Sequence, residues 1–456
     1  MRTVIIGLDC GDPTLLFSKF RGKLKTFSML MENGSYGKLR SVDPPITVPA
    51  WMSMMTGKTP GALGIYGFRN RIDYSYDSLG IADSSWVKYP TLWDKVGAIG
   101  GQSIVMGVPL TYPPKPIDGH LVSCFMTPSK KSNYTYPPEL KKELEKVSPG
   151  YEFDVKSFRT DNKDIILEEI YRMSRERLKV ATYLMNNKMW DLFVMVEIGL
   201  DRLMHAFWEY MDEEHVLYKP NSPYATAIEE YFIWLDQELE IFLSQIPDDT
   251  MLYVVSDHGA LRMDGGFRIN QWLLENGYLH LKSQPEPNKS LNYENIDWEK
   301  TMAWGEGGYY GRLFINLKDR EENGIVEPTE YQSLLERLER EMTHTPGPER
   351  WQGVRFLDPK AIYPEVRGVA PDALVYCGEL SWRCLGTLGQ SVFSLENDHG
   401  PDGANHGLDG IFLTAVKRKE KWKRNPDFSK GELARLSILD IHSIVLDSIC
   451  SIKSEL

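Results

Sequence analysis

The sequence predicts an α/β fold with a mostly parallel central sheet, helices on both faces and an inserted cap. Short apolar runs, such as residues 4–8, 192–196 and 251–255, are typical of buried parallel strands. Residues 167–187 and 225–243 carry apolar positions at helical spacing. Because these patterns alternate along the chain, they indicate a parallel sheet covered on both sides.

The remaining elements predict how the chain is divided. Residues 103–106, 373–376 and 410–413 read as further strands. Residues 280–370 differ from the rest, because they open with a polar stretch at 282–300 and contain a glycine-rich segment at 305–308. We therefore expect a catalytic core formed by residues 1–279 and 371–456, with residues 280–370 inserted as a cap.

Composition limits the classes of function. The chain has 456 residues and a net charge of -12, which argues against a nucleic acid polymer or an anionic membrane as partner. A small phosphorylated substrate remains possible, because bound metal ions reverse the local field. The first apolar run ends at Asp9, too early for a signal peptide, and no run is long enough to span a bilayer. We expect a cytoplasmic protein, and the sequence leaves its oligomeric state open.

The cysteines support a reducing compartment. The five cysteines are scattered and form no Cys-x-x-Cys pair. Reduced thiols are therefore expected, with neither a disulfide framework nor a thiolate metal site. The residues are Cys10, Cys124, Cys377, Cys384 and Cys450.

Two predicted strands end in acidic or histidine side chains. Asp9 follows the first strand, and Asp257 and His258 follow the strand at 251–255. Ligands of parallel sheets bind at these carboxyl ends. Taken alone, an aspartate in the position of Asp9 is more often a turn residue. An adjacent Asp-His pair is more telling, because burying two polar groups without partners costs about 2–7 kcal/mol each.

Three further residues extend this set. Asp201 and His205 are four residues apart, so on a helix both face the same side and one metal can take both. An ordinary surface pair has the same spacing. His406 precedes the last predicted strand among turn residues, where His399 competes with it. The other histidines of the nine lack such a context.

A threonine stands at the predicted start of a helix. Pro49 suits the first helical turn, and Thr47 comes just before it. A helix N-terminus stabilises anions and would favour an alkoxide. For a lone threonine, the alternative interpretation is a helix cap.

Taken in order, these segments resemble the alkaline phosphatase superfamily. The pattern Asp, Thr-x-Pro, Asp-x-x-x-His, Ser-Asp-His-Gly and a late His-Gly is closest to the type I phosphodiesterase/nucleotide pyrophosphatase branch. Residues 201–208, 270–274 and 312–318 are similar to a prokaryotic group described as predicted phosphohydrolases/phosphomutases. The resemblance runs from residue 1 to about residue 415.

The resemblance implies two divalent metal ions and a phosphorylated threonine. Mixed Asp and His ligands suit Zn²⁺, with Mn²⁺ or Fe²⁺ as alternatives, better than Ca²⁺. The nucleophile would be Thr47, whose alkoxide attacks phosphorus and is later freed by hydrolysis. The implied ligands are Asp9, Thr47, Asp257 and His258 for one ion, and Asp201, His205 and His406 for the other.

One departure from the family pattern concerns substrate binding. Related diesterases have a His-Gly-Ile phrase and then an asparagine that binds the phosphoryl group. Here Leu63 replaces the histidine, and Phe68 stands in the asparagine register. Arg69 or Asn70 is the predicted substitute, since arginine suits phosphate. For Arg69, an ordinary surface position is the alternative and the more common role.

Three functions follow from this resemblance. The first is hydrolysis of phosphodiester or nucleotide pyrophosphate bonds. A phosphomutase or phosphomonoesterase of the same fold is the alternative. A non-catalytic, metal-stabilised binding protein is the alternative from another class, and it would require a damaged ligand set.

Overall fold

The computed structural model describes residues 1–284 and 289–453, with side chains through Ile449. Residues 285–288 of the polar stretch, residues 454–456 and the side chain of Cys450 lie outside the described part.

The strands are β1 (Arg2–Leu8), β2 (Ser35–Arg40), β3 (Arg69–Arg71), β4 (Leu79–Ile81), β5 (Ser103–Met106), β6 (Gly119–Val122), β7 (Thr135–Tyr136), β8 (Leu192–Glu197), β9 (Thr250–Val255), β10 (Gly259–Arg262), β11 (Gly265–Arg268), β12 (Ala303–Glu306), β13 (Gly311–Ile315), β14 (Val354–Leu357), β15 (Ala373–Cys377), β16 (Trp382–Leu385), β17 (Phe393–Ser394), β18 (Ala404–Gly407), β19 (Asp409–Arg418), β20 (Lys421–Lys423), β21 (Gly431–Glu432) and β22 (Leu436–Ser437). The helices are α1 (Lys25–Asn33), α2 (Thr47–Thr56), α3 (Pro60–Leu63), α4 (Leu92–Ala98), α5 (Leu140–Val147), α6 (Lys163–Asn187), α7 (Gly199–Met211), α8 (Ala227–Ser244), α9 (Ile269–Glu275), α10 (Tyr331–Thr343), α11 (Pro359–Ile362) and α12 (Asp440–Lys453).

The larger sheet confirms the predicted fold class. Its strands follow the order β21-β2-β19-β9-β1-β8-β5-β6-β7. The five strands from β9 to β6 are parallel to their neighbours, whereas β19 runs antiparallel to β9 and β2. The predicted strand at 410–413 therefore lies in the first half of a longer antiparallel strand, β19.

Alternating side chains of the sheet pack against helices on both faces. Phe193 and Met195 of β8 belong to a core formed with α6, α7 and α8. Val194 points to the opposite core, which contains residues of α2, α4 and α12. The near-continuous burial of β8 is what a parallel strand covered on both faces requires. The two long helices predicted from periodicity appear as α6 and α8.

The register of the central strands places three chain segments at one edge. Leu8 of β1 pairs with Glu197 of β8, and Gly7 pairs with Val255 of β9. Since these strands are parallel, the residues that follow each of them emerge side by side. Asp9, the start of α7 and residues 256–258 therefore share the carboxyl edge.

A second sheet covers this edge. It contains seven strands in the order β12-β13-β15-β16-β11-β17, with β14 on β15. Its strands lie between residues 265 and 394, so it reaches beyond the predicted cap limits of 280 and 370 on both sides. The strand predicted at 373–376 exists as β15 but belongs to this sheet, because a short apolar run does not reveal its pairing partner. The division of the chain into domains stays a prediction.

Two further observations concern compartment and membrane. Among residues 1–284 and 289–449, four cysteines are buried free thiols: Cys10, Cys124, Cys377 and Cys384. None of the helices in the described ranges combines the length and the apolar character that crossing a bilayer requires.

Candidate active site

The threonine hydroxyl lies in a cavity and does not cap its helix. Thr47 is the first residue of α2, and the N-cap residue is Ile46, which makes no side-chain cap. The hydroxyl oxygen lies 3.4 Å from Nε2 of His258. Thr47 is buried but lines the cavity described below. These contacts favour the chemical interpretation of Thr47 over the helix cap.

The first predicted ligand group comes together at the ends of β1 and β9. His258 Nε2 lies 3.2 Å from Oδ2 of Asp257 and 3.6 Å from Oδ1 of Asp9. The second oxygen of Asp9 accepts a hydrogen bond of 2.8 Å from the Trp51 indole. The second oxygen of Asp257 accepts one of 3.3 Å from the Cys10 backbone N–H. Each carboxylate therefore keeps one oxygen directed at the shared centre.

The second predicted group forms beside α7. His205 Nε2 lies 3.3 Å from Oδ1 of Asp201 and 3.2 Å from Nε2 of His406. His406 lies on β18, where it pairs with Ala260 of β10, and this pairing places it at the site. His258 also lies within 4.8 Å of Asp201 and His406. The assignment of His258 to one metal alone therefore stays a prediction.

The three histidines present the same nitrogen to the centre. Nδ1 of His258 is 3.0 Å from the Gly259 carbonyl, and Nδ1 of His406 is 2.8 Å from the Pro45 carbonyl. A carbonyl oxygen only accepts, so in both rings the proton is assigned to Nδ1. Each Nε2 then carries a lone pair that faces the carboxylates. This is the usual arrangement of metal-binding histidines.

Burial and mutual repulsion divide the carboxylates into two kinds. Burial, followed by the charge of Asp201, raises the pKa of Asp9 well above its ordinary value. Burial, followed by the charge of Asp9, does the same to the pKa of Asp257. Burial opposes ionisation of Asp201 too, but His205 and Arg202 hold its pKa below the usual range.

The histidines are divided in the opposite way. Burial lowers the pKa of His258 to about 4 and lowers that of His406 well below its ordinary value. Burial acts on His205 as well, yet Asp402 and Asp201 raise its pKa to about 9. Without a cation, these shifts favour protons at Asp9, Asp257 and His205 over those at the other members of the cluster.

Three buried carboxylate oxygens without hydrogen-bond partners show whether the site suits metal ions. Within the described residues, Asp9 Oδ1, Asp201 Oδ1 and Asp257 Oδ2 are buried without a hydrogen-bond donor. When the carboxylates are ionised, these oxygens and the imidazole lone pairs can only accept. Either protons at Asp9, Asp257 and His205 or bound cations must then satisfy them. The residues therefore fit divalent metal ions, and two groups suited to metal binding are Asp9, Asp257 and His258, and Asp201, His258 and His406.

A cavity of about 670 Å³ opens above the cluster, between the central sheet and the second sheet. Thr47, Asp201 and His406 line it on the core side, and Tyr309 and Arg312 line it on the cap side. The volume suits a small-molecule ligand. It is bounded by aromatic side chains, namely Phe68, Phe125, Phe158, Tyr309, Tyr310 and Tyr293.

The two predicted substrate-binding residues differ in position. Arg69 lines the cavity. The amide of Asn70 is buried away from it, where Oδ1 accepts from the Tyr66 backbone N–H at 2.7 Å and Nδ2 donates to the Gly67 carbonyl at 3.0 Å. Asn70 thus holds the loop that carries Arg69. His399, the competitor of His406, has a side chain 57% exposed at the cavity wall and is not part of the histidine cluster.

Two residues of the site, Asp402 and Tyr309, were not identified from the sequence motifs. Asp402 is buried and accepts from His205 Nδ1 at 2.8 Å and from the Tyr309 hydroxyl at 3.0 Å. The Tyr309 ring stacks on His205 and His406, with centroids 4.7 and 4.3 Å apart. Asp402 precedes His406 by four residues, and that proximity was the one available hint.

The fold and the site together define a class of protein. A parallel α/β sheet with Asp and His side chains at its carboxyl edge, beside a threonine, is the arrangement of alkaline phosphatase-type phosphohydrolases. The sequence profile of the family "Type I phosphodiesterase / nucleotide pyrophosphatase" matches residues 3–402. The chain belongs to this metal-dependent family and is a phosphohydrolase, so the non-catalytic alternative is set aside.

Solved structures support the fold. Human ectonucleotide pyrophosphatase/phosphodiesterase 5 superposes with a TM-score of 0.56 at 12% identity, over 98% of this chain and 95% of that chain. An inactive Thr→Ala variant of the murine protein in complex with AMP gives a TM-score of 0.57 at 12% identity, with the same coverage. A comparison with curated protein sequences found no match.

Proposed function

We propose that the chain hydrolyses phosphodiester or nucleotide pyrophosphate bonds of a small phosphorylated substrate through a phospho-threonine at Thr47. The observation that carries the proposal is the position of the Thr47 hydroxyl. It lies at the cavity floor, 3.4 Å from His258, beside a cluster of buried carboxylates and histidines that could hold metal ions. A hydroxyl at a helix N-terminus beside such a cluster is placed for ionisation.

Seven side chains would hold the two metal ions. Asp9, Thr47, Asp257 and His258 would bind one, and Asp201, His205 and His406 the other. The Asp/His donor set suits Zn²⁺, with Mn²⁺ or Fe²⁺ next. When bound, the ions would favour the ionised threonine and neutralise charge on the phosphoryl oxygens.

The chain's own residues support a two-step displacement. The Thr47 hydroxyl releases its proton to solvent, and its oxygen forms a bond to phosphorus while the bond from phosphorus to the leaving oxygen breaks; the leaving oxygen takes a proton from solvent. A water oxygen then bonds to phosphorus while the Thr47–phosphorus bond breaks, and a proton from that water passes to the Thr47 oxygen and regenerates the hydroxyl. The α2 N-terminus favours negative charge at Thr47 in both steps.

The substrate proposal is a small nucleotide or a molecule of similar size. The murine relative was captured with AMP, and its Thr→Ala variant is described as inactive. Both facts are consistent with a threonine nucleophile and a nucleotide-sized cavity here. Arg69 is the predicted substrate-binding residue that reaches the cavity. Asn70 would act through the loop. The cytoplasmic location stays a prediction.

A phosphomutase or phosphomonoesterase is the second candidate. The cap side of the cavity carries Arg312, and a basic residue there would retain a phosphorylated product long enough to return the phosphoryl group. Leu63, in place of the family's histidine, also weakens the diester assignment.

The deciding experiment compares two chromogenic esters. Metal-loaded protein is assayed on bis-p-nitrophenyl phosphate and p-nitrophenyl phosphate, beside Thr47→Ala and the control Thr56→Ala, which lies at the far end of the same helix. We expect turnover that falls by ~10³-fold or more in Thr47→Ala. The ratio of the two wild-type rates decides between diesterase and monoesterase.

Two outcomes contradict the proposal. Turnover that survives in Thr47→Ala removes the phospho-threonine. Absence of turnover with Zn²⁺ or Mn²⁺ bound removes a general hydrolase and leaves the mutase.

A further inference from the structure

Two arginines of the cavity stand apart from the metal cluster. Arg69 belongs to β3, and Arg312 belongs to β13 of the second sheet; both line the cavity. The side chain of Arg69 is exposed to the cavity and forms no hydrogen bond or ion pair with the residues that the structure describes. It is therefore available to a ligand.

Arg312 is a buried cation with unused donors. Its accessible surface is 8% of the maximum. One Nη donates to the Arg69 carbonyl, and the nearest carboxylate in the described ranges is Glu306, at 3.8 Å. Glu306 also accepts from the Tyr293 hydroxyl. A guanidinium has five N–H donors in a fork that matches phosphate and carboxylate.

The other three arginines of the cavity are already paired. Arg202 donates to both oxygens of Asp154 at 2.8 Å. Arg159 and Arg383 each lie 3.1 Å from Oδ2 of Asp402. The positive charge of these three arginines is therefore compensated by Asp154 and Asp402. The unpaired charge of the cavity is thus concentrated at Arg69 and Arg312.

The cavity lining is richer in arginine than in acidic residues, unlike the chain as a whole. Five arginines and three carboxylates line the cavity, whereas the whole chain has 52 basic and 64 acidic residues. A concave surface of one sign attracts ligands of the opposite sign. Because three of the arginines are paired, the attraction for anions comes from Arg69 and Arg312.

We propose that Arg69 and Arg312 form a second anion-binding subsite, separate from the metal cluster. The substrate class is a small phosphate ester with a second anionic group, a phosphate or a carboxylate, remote from the bond that is cleaved. This inference rests on the proposed function for the position of the reacting phosphoryl group. It assigns Arg69 to the distal group and not to the phosphoryl group that is transferred.

The test is a binding experiment on metal-loaded protein by isothermal titration calorimetry. The probes are straight-chain alkyl monophosphates and the bisphosphates of the corresponding diols, with three, four or six carbons. We expect one bisphosphate length to bind ~10-fold or more tightly than its monophosphate. An ω-carboxyalkyl phosphate of the same length then distinguishes a distal carboxylate from a distal phosphate.

Four variants locate the effect. Arg69→Gln and Arg312→Gln should each reduce the bisphosphate advantage to less than ~3-fold, whereas Arg312→Lys keeps part of it because the charge remains. Glu306→Gln should increase it, since the competing carboxylate is lost. The control is Arg355→Gln, which lies in the same sheet, pairs with Glu379 and does not line the cavity; it should keep the full advantage.

Equal affinity for mono- and bisphosphates at every length would overturn the subsite, and so would an advantage that survives in both glutamine variants. Arg69 is exposed, so Arg69→Gln tests the subsite even if Arg312→Gln does not fold. Because binding is measured directly, a bisphosphate preference without ester hydrolysis would contradict the proposed function and leave the subsite standing.

Discussion

The imidazole rings of His258 and His406 are stacked, with centroids 3.7 Å apart and planes inclined by 14°. The pair joins the two predicted ligand groups, because Nε2 of His258 faces Asp257 at 3.2 Å and Nε2 of His406 lies 3.8 Å from Asp201. Burial lowers the pKa of both rings. The two uncharged, stacked rings therefore connect the predicted ligand group around Asp257 with the one around Asp201, so that the two groups form one continuous cluster.

Metal binding should release protons and become tighter as the pH rises. Asp9 and Asp257 have raised pKa values because of burial, and the pKa of His205 is raised to about 9. These groups must lose protons before they bind a cation. Calorimetric titration with Zn²⁺ at pH 6.5 and pH 8.5, in buffers of different ionisation enthalpy, measures the release. Binding that is independent of pH and buffer would contradict this assignment of protons.

The metal-free protein should lose stability as the pH rises from about 6.5 to about 9. Asp402 and Asp201 overcome burial and raise the pKa of His205 to about 9 in the folded state. A group whose pKa is raised on folding stabilises fully below its unfolded value and loses this contribution through its folded value. Thermal unfolding across this range measures the slope. His205→Gln should flatten it, whereas the exposed control His399→Gln should not.

Asp402 should fix the orientation of the His205 ring. Its carboxylate accepts from His205 Nδ1 at 2.8 Å, so Asp402→Asn removes a charged acceptor. We expect Zn²⁺ affinity to fall by ~10–100-fold. Competition with a chromophoric chelator gives the affinity. The control is Asp398→Asn, which pairs with Arg383 but does not contact His205; an equal loss in both variants would indicate a general structural effect.

Replacing Asn70 should destabilise the protein, whereas replacing its neighbour Arg69 should not. Asn70→Ala leaves the Tyr66 N–H and the Gly67 carbonyl without their partner, which should lower the free energy of unfolding by ~1–3 kcal/mol. Arg69→Ala, at an exposed position, should change it by less than ~0.5 kcal/mol. Urea denaturation of both variants decides. Equal losses would show that the loop does not depend on the Asn70 amide.

The strand-end residues could be predicted because the rule that places them is local. Asp9 follows β1, and Asp257 follows β9, and parallel pairing alone brings their backbones to one edge. The helical spacing of Asp201 and His205 is equally local. That these side chains meet at one edge could therefore be predicted before any contact was known, whereas their role as metal ligands came from the family resemblance and stays a prediction.

Residues whose roles depend on distant contacts were not identifiable. Asp402 and His205 are 197 positions apart, and Tyr309 reaches Asp402 from the second sheet. Neither contact follows from strand period or turn chemistry. The extent of the second sheet was missed for a similar reason, because β11 joins it by pairing with β16 across more than 100 residues. Asn70 was predicted to bind substrate. Its side chain forms hydrogen bonds within its own loop, and such contacts cannot be foreseen from the sequence pattern.

The place of β19 in the large sheet has a consequence for biosynthesis. This strand, Asp409–Arg418, lies inside the sheet between β9 and β2, directly after the β18 strand that carries His406. Synthesis proceeds from the N-terminus, so β19 and His406 are made after β1, β2, β8 and β9 and after the other histidines and carboxylates of the cluster. Until residue 418 has been made, the facing edges of β9 and β2 lack the strand that joins them, and the two parts of the sheet cannot close on each other.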